Sequence, residues 1–250
     1  MMARWFAANG ALRRSAAAAA LLVGALAVGT TQAHDAIGAD ARQAYLQKLD
    51  RLQRTAQSGA GATARAAAWV EAGRTLDEIR TLLNEDIASH GRTQGLETSI
   101  LIGQLNATPW RLQPSPQTRL YLANQRPYRD ALALDARGAH VPLARFMLLK
   151  NHFYDSFTEH PLKPVGQDKA TLLEMIDHGE WLRNPRNATA DPVIDSEEVH
   201  FILALHYLQA RDSGALPAAS CVSRFGELLA TFRKRWPSSL KLATLEALAP

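Results

Sequence analysis

The sequence predicts an all-α protein, and three observations carry that prediction. Apolar residues recur at steps of three and four over long windows, the spacing of one helix face. Stretches of alternating period rich in Val, Ile and Thr, which would mark half-buried strands, are missing. The breaks between periodic windows are short clusters of Pro, Gly and Asn. Together they predict eight or nine helices, either stacked as antiparallel pairs in a repeat-like solenoid or gathered in an irregular bundle.

Taken in order, Leu49 and Leu52 belong to a first helix that ends at the flexible turn Ser58-Gly59-Ala60-Gly61-Ala62. From Ala66 to Ala88, Trp69, Val70, Gly73, Leu76, Ile79, Leu83 and Ile87 form one apolar stripe. Pro109 to Pro127, with Pro114 and Pro116 inside it, is the longest irregular stretch and the expected internal boundary. Leu143, Phe146, Met147 and Phe153 mark a further helix, which Pro161 and Pro164 end after Phe157. Leu172, Ile176 and Leu182 follow at helical steps, then a loop from Asn184 to Pro192. Asp195 with Glu198 three residues on predicts a capping box for a helix carrying Val199, Ile202, Leu203 and Leu208. His206 continues that stripe and is expected inside, neutral and hydrogen-bonded to a neighbour. Gly214 to Pro217 ends the helix.

The first 33 residues read as an address. Arg4, Arg13 and Arg14 precede an apolar run from Ser15 to Gly29, and Thr30-Thr-Gln-Ala33 ends in a small residue. A basic start, a short apolar core and a small-residue exit describe a secretory signal. Cleavage is expected after Ala33, leaving a chain that begins at His34, and the Ala/Arg-rich composition points to a bacterial periplasm. Residues 34–250 are then the all-helical domain.

Removing the signal changes the charge argument. The whole chain has 28 Lys+Arg against 24 Asp+Glu, and the signal holds three of the arginines and no acid. Near-neutrality of the remainder argues against a nucleic-acid partner. Past residue 33 no apolar run approaches the ~18 residues of a membrane span, so no stable insertion is expected. Cys221 is the single cysteine, so no disulfide can form within one chain. It is expected to be a small buried residue rather than a nucleophile.

A weak internal repeat adds to this picture. Tyr128–Phe146 aligns without a gap on Phe225–Ala243: an aromatic opens each, Leu132/Leu229 and Ala133/Ala230 follow, and Pro142 or Pro237 marks a turn before a second helix near Leu143 or Leu240. Tyr45 through Ala68 fits more loosely. These segments resemble tetratricopeptide-like helical repeats of bacterial periplasmic proteins, best in Phe225–Leu248, whose Phe232-Arg-Lys-Arg-Trp-Pro-Ser-Ser-Leu-Lys-Leu-Ala243 is similar to the end of one repeat hairpin and the start of the next. The resemblance implies stacked helix pairs with a face for an extended peptide or another envelope protein.

Candidate functional residues come from polar and aromatic faces. Asn151, His152, Tyr154, Asp155 and Glu159 on one helix, and Glu197, His200, Tyr207 and Arg211 on another, are the expected groove. The alternative is a metal site. His152 and Asp155, Glu174 and His178, and Glu197 and His200 are spaced three or four apart, so each pair shares a helix face. That reading needs three of these groups, or of these with Glu159, to converge on one point. A third possibility, an envelope enzyme with a catalytic carboxylate, has no residue to nominate it. The chain carries no Gly-x-Ser-x-Gly, His-Glu-x-x-His, phosphate loop or dinucleotide fingerprint, and no cofactor is expected. The expected function is therefore a non-catalytic, exported binding or scaffold protein.

Overall fold

Helices make up most of the computed structural model, which describes residues 37–90, 96–114, 120–122, 125–159, 169–187 and 189–250. The expected signal segment lies outside these residues. Among the described residues there are nine α-helices: α1 (Ala39–Gln57), α2 (Ala62–His90), α3 (Leu96–Asn106), α4 (Arg126–Leu134), α5 (Val141–Glu159), α6 (Lys169–Arg183), α7 (Ser196–Ser213), α8 (Ala218–Arg235) and α9 (Leu240–Ala247). No helix among them is long and apolar enough to cross a membrane.

Local chemistry sets the ends. At the close of α1 the Ser58 hydroxyl donates to the Thr55 carbonyl (2.7 Å) and accepts from the Ala60 amide (3.2 Å), turning the chain into α2. Asp195 caps α7 by accepting from the Glu197 amide at 2.8 Å. The expected capping box is only half made, because the Glu198 carboxylate turns instead to Tyr154. Gly214 closes α7 at φ 64° and ψ 28°, with the Ala215 amide reaching back to the Ala210 carbonyl (2.9 Å). That six-to-one bond needs a left-handed residue, which glycine adopts without steric cost. Ser239 caps α9 through the Lys241 amide (3.1 Å).

Helix α1 packs on α2, α2 on α4, and then α4 through α9 pack in succession, while α3 rests on α1 and on Leu112–Pro114. α5 also touches α7, and α7 touches α9. Short connections such as Ser58–Gly61 force consecutive partners to run antiparallel. Leu76, Ile79 and Leu83 of α2, Tyr128 of α4, Phe146 of α5 and Phe225 and Phe232 of α8 all belong to one continuous buried cluster.

One departure from the expected all-helical chain is a small antiparallel ribbon, β1 (Leu112–Pro114) and β2 (Leu120–Leu122), inside the Pro-rich stretch. Asn84 of α2 holds its edge: the side-chain amide donates to the Leu120 carbonyl (2.9 Å) and accepts from the Leu120 amide (2.6 Å). A three-residue strand is too short to show an alternating pattern, so its anchor had to be seen in three dimensions.

Gly73 decides how closely α2 and α4 approach. A Cβ there would lie 2.6 Å from Tyr128 Cζ and 2.7 Å from Cε1. The Tyr128 ring is fully buried and cannot swing away. Alanine favours a helix over glycine by about 1 kcal/mol, whereas overpacking costs about 1–3 kcal/mol. A contact this short puts Gly73→Ala at the upper end of that range. The expected net loss is about 2 kcal/mol, read as a lower urea midpoint.

Candidate functional site

The polar and aromatic side chains of α5, α6 and α7 are arranged as pairs that tie one helix to another. Tyr154 on α5 donates its phenolic proton to Glu198 Oε1 on α7 at 2.7 Å, and Lys150 Nζ lies 3.5 Å from the other oxygen. On the opposite pairing, Tyr207 of α7 donates to Glu180 Oε1 of α6 at 2.6 Å, while Arg183 donates to Oε2. Burial, and then the neighbouring carboxylate, push both phenols well above the usual tyrosine range. Both tyrosines therefore act as donors and stay protonated.

Towards α9, Glu197 accepts the Ser239 hydroxyl at 2.5 Å, and Lys241 Nζ stands 4.0 Å away. The same hydroxyl oxygen accepts the capping bond from Lys241, so Ser239 is used as donor and acceptor at once. His200 packs edge-on against Trp236 with ring centroids 5.2 Å apart. Its Nδ1–H donates to the Ser196 carbonyl at 2.7 Å, which assigns the tautomer, and burial lowers its pKa.

A second polar group joins α4, α5 and α6. Arg129 forks onto both oxygens of Glu174 at 2.6 Å. Arg145 donates to Asp177 at 2.8 Å and to His178 Nδ1 at 3.1 Å, with its guanidinium 5.0 Å from the Trp181 ring centroid. Because arginine only donates, His178 Nδ1 is an acceptor and the ring proton sits on Nε2, 3.6 Å from Glu174. Burial, and then the Arg145 charge, lower this histidine to about 4.

These positions correct the expected groove. Asn151 is buried between helices rather than lining a surface. Its amide donates to both oxygens of Asp77 (3.0 and 3.1 Å), and its carbonyl oxygen accepts from Arg80 at 3.3 Å. Tyr128 completes the group by donating to Asp77 Oδ2 at 2.6 Å. His200 and Tyr207 are also buried, and Arg211 turns to its neighbour Asp212 at 2.7 Å. His152, Tyr154, Glu197 and Arg211 are half-buried; the side chains of Asp155 and Glu159 lie outside the described residues. The nine residues thus do not share one open face.

The metal expectation fares similarly. Among the described residues no three His, Cys, Asp or Glu side chains gather around a point. Glu174 and His178 do meet, but Arg129 and Arg145 take their acceptor atoms and place positive charge where a cation would sit. Glu197 and His200 diverge toward Ser239 and Trp236. Cys221 is buried in the first turn of α8, and burial pushes its thiol up, away from nucleophilic chemistry. His206 is buried as expected, yet neither ring nitrogen has the hydrogen-bonding neighbour that was expected of it.

Asp77 was missed, although its register was visible. It falls four residues after Gly73 and seven after Val70, so it lies on the apolar stripe of α2. A carboxylate at such a position requires donors from other helices. Comparisons with known protein families, with curated proteins and with solved structures give no match.

Proposed function

We propose that the chain is an exported, non-catalytic binding or scaffold protein of the cell envelope, built from stacked helix pairs that receive a peptide or another envelope protein. One observation carries this reading: α1 packs on α2, α2 on α4, and α4 through α9 in succession, and α5–α7 and α7–α9 contacts link alternate helices as well. Helix pairs stacked in this way leave extended outer surfaces whose side chains can select a partner. Each aligned segment of the sequence, 128–146 and 225–243, runs from one helix through a short turn into a second, with Pro237 in the turn and Pro142 inside the first turn of α5. The basic start, apolar run and Ala33 support export, and the single cysteine accords with a fold held by packing.

The test places a photo-crosslinking residue at the large apolar positions exposed among the described residues, Leu173, Val193, Val222 and Leu240, in the natural host. The expected result is a protein in the periplasmic fraction that begins at His34 and forms a discrete adduct from at least one position. A cytosolic protein that keeps Met1 would overturn the export half. Adducts that are absent or indiscriminate at all four positions would overturn the binding half.

A further inference from the structure

The last turn of α8 carries Arg233-Lys234-Arg235, the longest unbroken run of cations in the chain. Arg233 is paired with Glu246 Oε1 at 2.9 Å, whereas no salt bridge among the described residues takes Lys234 or Arg235. The Arg235 guanidinium lies over the Trp236 ring, 4.6 Å from its centroid. The chain then turns tightly into α9. The Trp236 amide donates to the Phe232 carbonyl (2.8 Å) and the Ser239 amide to the Trp236 carbonyl (3.1 Å), and Pro237 stiffens the bend between them. Leu240 opens α9 at 65 % exposure, against 39 % for Leu173, 42 % for Val193 and 40 % for Val222. Lys241 follows it, 4.0 Å from Glu197 Oε1. Glu246 and Glu197 thus answer Arg233 and Lys241, and the charges of Lys234 and Arg235 are left over beside an apolar side chain in water.

We propose that the α8–α9 corner, through Lys234, Arg235, Trp236 and Leu240, is a peripheral docking site for an anionic phospholipid surface. The charge of the corner is complementary to such a surface, whose negative potential attracts basic side chains lying within a Debye length of it. Arg235 is held by its stacking on Trp236, so its outward donors are set toward phosphate before contact. Trp236 is half-buried, and an indole beside a guanidinium suits the boundary between headgroup and acyl chain. Leu240 gains by leaving water for that boundary. The site is a turn between two helices, so contact can be made without unfolding either one. It calls for adsorption rather than a span, in keeping with the absence of a membrane-crossing helix among the described residues. A nucleic acid would engage the same cations but leave Leu240 in water, and so explains only half of the corner. The docking is separate from any protein partner of the outer helix surfaces.

The test is co-sedimentation of the protein, as it accumulates in its host, with vesicles of phosphatidylglycerol and phosphatidylcholine in equal parts, and with vesicles of phosphatidylcholine alone. The wild type is expected to sediment with the first and not the second, and to be released as sodium chloride is raised. The double variant Lys234→Gln/Arg235→Gln should bind at least about 10-fold more weakly, since each basic residue near an anionic surface contributes roughly a factor of five. Leu240→Ser should bind roughly fivefold more weakly. Arg51→Gln/Arg137→Gln, which removes the same charge from exposed positions on α1 and the α4–α5 turn, should bind like the wild type. Absence of binding to the anionic vesicles overturns the proposal, and so does equal binding to both kinds. An equal loss in the Arg51/Arg137 variant overturns it as well, because net charge rather than the corner would then decide. Capture of a single-stranded oligonucleotide as tight as that of the vesicles, with Leu240→Ser without effect on either, would replace the lipid surface by a soluble polyanion. All the substituted side chains except Trp236, which is kept, are exposed, and an unchanged urea midpoint verifies that each variant is folded.

Discussion

Replacing Asp77 with alanine is expected to cost roughly 3–5 kcal/mol of folding stability, the range for breaking a buried charged network. The Tyr128 hydroxyl and the Asn151 amide both donate to this carboxylate, and Tyr128 and Asn151 are both buried. Removing the acceptor leaves two buried donors unpaired and takes away the carboxylate that stands 3.4 Å from Arg80. Tyr128→Phe keeps the ring against Gly73 and removes only one donor, so its cost should be about 1–2 kcal/mol. The two effects should not add: the double variant is expected to be within about 1 kcal/mol of Asp77→Ala, because the groups share one network. Urea denaturation followed by circular dichroism measures all three. Simple additivity would show that the α2–α4–α5 contact is held by packing alone.

The second large effect is a loss of stability in acid. His206 is lowered to about 3 and His178 to about 4 from a usual value of 6.5. The groups facing His206 are His152 and the Ile202 carbonyl; those facing His178 are Arg145, Glu174, Asp177 and Arg129. The sign follows from linkage. Below pH 6.5 the unfolded chain binds protons at these positions while the folded chain does not, so stability falls with pH until the folded values are reached. Between pH 7 and 4.5 each histidine is expected to withdraw roughly 2–3 kcal/mol. Asp77 acts in the opposite direction: burial raises its pKa, so its folded form gains stability as the pH falls through that value toward 3.8. His206→Leu should flatten the pH dependence by roughly half, and His178→Gln by a similar share. An equally steep fall in both variants would mean that other groups carry the acid response.

Which of these features could be read from the sequence follows from the distance over which each is determined. The apolar stripe of α2, the Asp195 cap and the Gly214 stop depend on residues within a turn or two of one another, and the sequence shows them directly. The inward placement of His206 was legible for the same reason, since it lies on the stripe of Val199 and Ile202. Its lack of a hydrogen bond was not, because that depends on what α5 presents across the interface. The destination of Asn151 was also hidden. On its own helix it neighbours His152 and Tyr154 and looks like part of a polar face. Only the approach of α2 in three dimensions brings Asp77 and Arg80 to it. Tyr154 and Tyr207 were picked out as members of one groove; they are instead two separate clasps, one to Glu198 and one to Glu180.

The order in which the helices pack has a consequence for how the chain reaches this structure. When each helix leans mainly on the one before it, most contacts close short loops, and the entropy lost in forming them is small. Such a topology has low contact order and belongs with the faster-folding architectures. It also means that assembly need not wait for the whole polypeptide. As the chain emerges from its N-terminus, α1 and α2 can pair, α4 can dock on α2, and every later helix finds its platform already made. Helix α9 in turn rests on α7 and α8.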